Sequence, residues 1–252
     1  MIKFFRKIRR NLLSEGKTGK YMKYAIGEIV LVVIGILIAL QINNWNEGIK
    51  KDELVKSYLI TIKDNLNQDL EDFEKQIQIL NTQKKEIDSI VKILNLESSN
   101  LLTMNEIIVQ NQNVLMFREK ETINNSSFLS IINSGSLNLF SKNTQNNLLE
   151  LAQAQNQYIA GIQTNKLASN SILSDLFSQL PFFFGSKNAR VSFNHQLNEQ
   201  LLESVNWKIV RIKFVTALVQ ARGRVRSAEI SSQIIFDKTK KLKQLIISEL
   251  KK

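Results

Sequence analysis

Apolar and polar positions follow two different patterns along this chain. Between Tyr24 and Ile42 the only charged residue is Glu28, and Ile29 to Leu40 carries no polar side chain at all. Wound as a helix at about 1.5 Å per residue, Tyr24 to Trp45 reaches roughly 33 Å, enough for a hydrocarbon core of about 30 Å. Tyr21 and Tyr24 at one boundary and Trp45 at the other suit the headgroup level. The run is longer than the core of a cleaved signal peptide, and it ends in "IALQINN" without a small-residue cleavage pair. The pattern predicts an uncleaved transmembrane helix over 24–45.

After the span the period changes to seven. Leu59, Leu66, Phe73, Leu80, Ile87 and Leu94 recur at that interval, with Leu70, Ile77 and Val91 read as the alternate seam position and Lys84 interrupting it. This spacing predicts a long amphipathic helix, of coiled-coil type or one arm of a bundle, with the charges of "DLEDFEK" on a solvated face. Thr103 and Glu106 have capping-box spacing, a short helix follows Ser126 and Ser127, and Gly135 suits its C-terminal cap. Ser141 opens a helix carrying Leu148, Leu151, Tyr158, Ile159, Ile162, Leu173, Leu176 and Leu180, which Pro181 stops. A last helix is expected from near Asn194, turning Leu197, Leu201, Val205, Ile209, Ile212, Leu218, Val225 and Ile230 inward, then Leu242, Leu245 and Ile246, with Gly223 as a bend or break. One Pro and nine Gly in 252 residues leave few breakers. The expected fold is all-α: a basic helix over 1–20, the span over 24–45, and an elongated helical bundle with coiled-coil character over 46–252.

Charge settles orientation. The net charge is +11, and residues 1–23 hold eight basic side chains against Glu15. A basic tail on a nearly balanced body belongs beside a membrane rather than on nucleic acid. In "MIKFFRKIRRNLL", Phe5, Ile8 and Leu12 fall at helical spacing while Lys3, Arg6, Lys7, Arg9 and Arg10 occupy the rest. That is an interfacial helix for an anionic inner leaflet, or, in the plainer alternative, an unstructured basic topology signal. By the positive-inside rule the N-terminus is expected in the cytoplasm and the C-terminal domain outside it.

The stretches "MIKFFRKIRRNLL" and "KYMKYAIGEIVLVVIGILIALQINNWNE" resemble an uncharacterised family of small bacterial membrane proteins that open with this basic helix and span. A second, shorter likeness is "SFLSIINSGSLNLFSKNTQNNLLEL", residues 127–151. The resemblance implies a single-pass protein with a helical outer domain, and it brings no activity and no catalytic residue.

Candidate chemistry is sparse. Without cysteine there is no thiolate nucleophile or ligand, and His195 is the single histidine. No phosphate loop, dinucleotide-binding glycines or zinc-protease motif occurs. Arg222, Arg224 and Arg226 in "RGRVR" point in different directions on a helix and read as a solvated face. Phe182, Phe183 and Phe184 in "PFFFG" are either a plug at the bundle end or a tip touching a membrane or partner. Glu28 shares a line along the span with Gly35 and Ala39; it is either part of a packing stripe for homo- or hetero-oligomers, or a boundary acid reaching the headgroups. The expectation is a non-enzymatic membrane-anchored protein that binds a partner or senses through its outer bundle, without metal or cofactor. The competing class is an envelope enzyme with a carboxylate-based site.

Overall fold

The computed structural model describes residues 18–95, 101–123, 126–180 and 200–251. The basic stretch from Lys3 to Arg10, the phenylalanines 182–184 and His195 lie outside them. The long elements are helical throughout: α1 (Thr18–Leu94), α2 (Leu101–Gln110), α3 (Ser126–Asn133), α4 (Lys142–Phe177) and α5 (Trp207–Leu250), with single 3-10 turns at Gln112–Leu115 and Ser136–Leu139. Two compact units divide at Ser57 and Tyr58.

The first unit is α1 up to Ser57. Its apolar run is exposed on every side, with none of the strongest 18-residue window buried. Among the described residues no protein surface covers it, and the helix is long and apolar enough to cross a bilayer. Span and heptad region belong to one continuous helix. Between them only Gly48 weakens the helix, while Asn43 Nδ2 donates to Glu47 Oε1 one turn on at 3.0 Å.

The second unit is a bundle of the rest of α1 with α4 and α5. Asp69 meets Gln155, Phe73 meets Tyr158 and Tyr58 meets Phe140, so α1 and α4 run parallel. Lys84 pairs with Glu229 and Asp88 with Arg222, while Glu150 pairs with Lys238 and Asp175 with Lys213; α5 is therefore antiparallel to both. Leu59, Leu66, Phe73, Leu80 and Ile87 are buried as the seven-residue period predicts. Their alternate partners are Ile62, Asp69, Gln76, Gln83 and Ile90, one residue earlier than the expected Leu70, Ile77 and Val91, which are only half-buried. Hydropathy favoured the wrong register because three of the five true seam positions are polar.

Helix boundaries follow local chemistry. Ser141 caps α4, its hydroxyl accepting from Thr144 N at 3.2 Å, and Gly135 takes the left-handed conformation (φ 72°) that releases the chain from α3. Thr103 and Glu106 lie within α2 rather than at its cap. The last long helix starts at Trp207, where Asn206 Oδ1 accepts from Ile209 N at 3.3 Å, after the chain leaves helical geometry at 204–206. Gly223 does not break α5, which is continuous to Leu250. Ile209, Ile212 and Ile230, expected inward, face solvent; the core side of α5 is Val210, Phe214, Leu218, Val225, Ile235, Leu242 and Ile246.

Candidate functional site

The polar seam of α1 fastens an irregular segment, residues 112–120, into the bundle. Such a segment has backbone carbonyls without ladder partners, and burying them unpaired is costly. Gln83 Nε2 donates to the carbonyls of Val114 and Met116, both at 2.8 Å, and Gln76 Nε2 to that of Arg118 at 3.1 Å. From α5, Arg224 reaches the same segment: Nε donates to Glu119 Oε1 at 2.7 Å and Nη2 to the carbonyls of Leu115 (3.3 Å) and Met116 (3.2 Å). Its Nη1 donates to Ser169 Oγ on α4 at 2.7 Å, and the guanidinium lies 5.3 Å from the Phe117 ring centroid. Glu119 Oε2 accepts from Arg118 N at 2.9 Å. Both charges of the Arg224–Glu119 pair are buried, each with several hydrogen bonds, which is the condition under which such a pair is tolerated. At the end of the segment Lys120 bonds Asp72 and lies 6.0 Å from the Phe73 ring centroid. The hydrogen bond from Lys120 holds the Asp72 carboxyl below its usual range.

A second polar layer lies one heptad from Gln76. Asp69 is 1% exposed, and its Oδ2 accepts from Gln155 Nε2 at 3.3 Å. Asp69 Oδ1, Gln155 Oε1 and the hydroxyls of Tyr158, Ser232 and Thr239 have no hydrogen-bond partner among the described residues. Desolvation pushes the Asp69 carboxyl up to about 6, against the opposing attraction of Lys120. Burial likewise raises the Tyr158 phenol to about 12; its hydroxyl faces Ser232 without closing a hydrogen bond.

On the bundle surface, α1 and α5 enclose a groove of about 780 Å³. Ile77 and Val91, the residues that the sequence places in the seam, line it from α1, and Val219, Gly223 and Ile230 line it from α5. The three arginines of "RGRVR" part company: Arg222 pairs with Asp88 at 2.7 Å, Arg224 is buried against Glu119, and Arg226 lines the groove. The solvated-face reading therefore fails for Arg224. The "DLEDFEK" reading fails for Asp69 in the same way.

On the span, Glu28 is partly shielded, whereas Ala39 is exposed and Gly35 has open space where a Cβ would be. The signals for Gln76, Gln83 and Asp69 were present as a second seven-residue spacing with Ile62 and Ile90, but nothing local marks a polar residue as buried. Among the described residues, His, Cys, Asp and Glu form no group able to hold a metal ion. Comparison with protein-family models, curated proteins and solved structures gave no match to this chain.

Proposed function

We propose that this is a single-pass protein of a bacterial inner membrane, related to the uncharacterised family that its N-terminal 47 residues resemble, with a helical domain outside the cytoplasm that binds a partner. The basic N-terminal segment lies on the anionic inner leaflet, and the Glu28, Gly35 and Ala39 line packs against a further transmembrane helix. One observation carries the partner-binding reading: α5 keeps a line of exposed apolar side chains, with Ile212, Val219 and Ile230 at 62%, 65% and 52%, on a helix whose opposite face already supplies the core. A solvated bundle gains nothing from such a line, and a docking surface requires one.

The competing reading, a carboxylate-based enzyme site, has Asp69 as its best residue because an acid titrating near 6 suits proton transfer. Asp69 is sealed from solvent and turned toward Gln155, which favours the structural role.

Protease added to spheroplasts tests the placement: digestion of everything beyond about Trp45 with the basic stub spared supports it, and protection of the bundle reverses the topology. Native electrophoresis of gently solubilised membranes tests the binding. Migration with another protein supports the reading, and migration of the bare chain opposes it.

A further inference from the structure

The groove between α1 and α5 has apolar ends and a charged centre. Because the two helices are antiparallel, Val91 lies level with Val219 at one end, while at the other Ile230 stands about a turn nearer the centre than Ile77, with Asn81 and Gln233 beside them. In the centre Lys84 pairs with Glu229 at 2.8 Å and Arg222 with Asp88 at 2.7 Å. Arg226, between them on α5 and exposed, makes no hydrogen bond or ion pair among the described residues. The groove therefore holds a surplus of one positive charge. Gly223 deepens the same stretch. A Cβ there would meet nothing within 4 Å, so the bundle's own packing does not require glycine at a position where it weakens the helix.

We propose that this groove docks an α-helix of another protein that presents a carboxylate to Arg226, flanked by apolar side chains for the two ends. From Val219 to Ile230 is eleven residues of α5, roughly 16 Å at 1.5 Å per residue. The partner helix thus carries apolar anchors at about i and i+11, with Asp or Glu near i+4 or i+7 according to its direction, and its backbone approaches closest at Gly223. Charge decides against a second copy, which would set one uncompensated Arg226 against another. A lipid fits less well, since its charge sits at one end of its apolar part, whereas the groove places the cation between two apolar ends.

The inference rests on the partner-binding reading above, and the test separates the two. A photo-crosslinking amino acid is placed in the full chain in native membranes at Val215 or Ile234, which continue the α5 line beyond the groove, and separately at Leu167 on α4. The expected result is that both α5 positions capture the same foreign protein, at a segment with an acid between apolar anchors. Arg226→Glu then lowers the yield about tenfold while Arg226→Lys keeps most of it. Gly223→Leu abolishes capture while Gly223→Ala melts at or above the wild-type temperature, which separates lost docking from lost folding. Capture of a second copy, capture of lipid, or a foreign adduct indifferent to Arg226 overturns the proposal. A foreign protein captured only at Leu167 overturns the groove and leaves partner binding standing; no foreign protein at any of the three positions removes both.

Discussion

Replacing Asp69 by Asn should stabilise the bundle at neutral pH, and only there. The carboxyl is buried among Gln155, Phe73 and the apolar seam, with Lys120 and Asp72 as the charged groups acting on it, and its pKa rises from 3.8 to about 6. Such an acid favours the folded state when protonated. Between about pH 4 and 6 the folded chain holds a proton that the unfolded chain has released, so stability falls as pH rises through this window, and the loss is complete above it. Two units at about 1.4 kcal/mol each give an upper limit of about 3 kcal/mol. Asn keeps the oxygen that accepts from Gln155 Nε2 and adds an amide able to meet the unpaired Gln155 Oε1. In denaturant titrations of the full chain in micelles, followed by far-UV circular dichroism, D69N should exceed wild type by about 2 kcal/mol at pH 7.5, and the difference should shrink as pH falls through the window and vanish below about pH 4. Asp72, held low by Lys120, titrates below this window and contributes the opposite slope there. A difference that does not vary with pH, or an Asn variant weaker at pH 7.5, would refute the reasoning.

Other positions give sharper contrasts. Arg224→Met strands the buried Glu119 and should cost about 3–5 kcal/mol in the same titration, with part of the loss recovered by adding Glu119→Leu. Phe73→Ala opens a cavity beside Tyr158, 5.6 Å away ring to ring, and should cost about 3–5 kcal/mol. Lys238→Ala removes an exposed pair with Glu150 and should leave the denaturant midpoint unchanged in the same titration.

Much of the architecture was legible because it depends on local signals. A long uninterrupted apolar run, the Ser141 cap, the left-handed Gly135 and the spacing of Leu59 through Ile87 each carry their reason within a few residues. The second seam register was not legible. Gln83 is buried because carbonyls 31 and 33 residues away need its amide, and Gln76 because one 42 residues away does. No window of hydropathy contains those partners, so the eye moves to the apolar Leu70, Ile77 and Val91 next door. Helix α5 misleads for the converse reason. It carries two apolar lines, and the sequence cannot say which faces the core; Ile212 and Ile230 lie on the outer one, while Arg224, charged, lies on the inner. Ile77 and Val91, which that one-position shift assigns to the core, line the candidate groove instead.

Gln76, Gln83 and Arg224 fasten residues 112–120 into the bundle. Hydrogen exchange of the full chain, read by mass spectrometry in wild type and in Gln83→Leu, tests this most directly. Gln83→Leu puts an apolar side chain of similar size in its place and leaves the carbonyl of Val114 without its side-chain donor and that of Met116 to Arg224 alone, at about 1–3 kcal/mol. Amides of this segment should exchange roughly ten- to a hundredfold faster in the variant, while those of α4 and the α5 core change little. Unchanged protection of 112–120, with the variant folded, would contradict it.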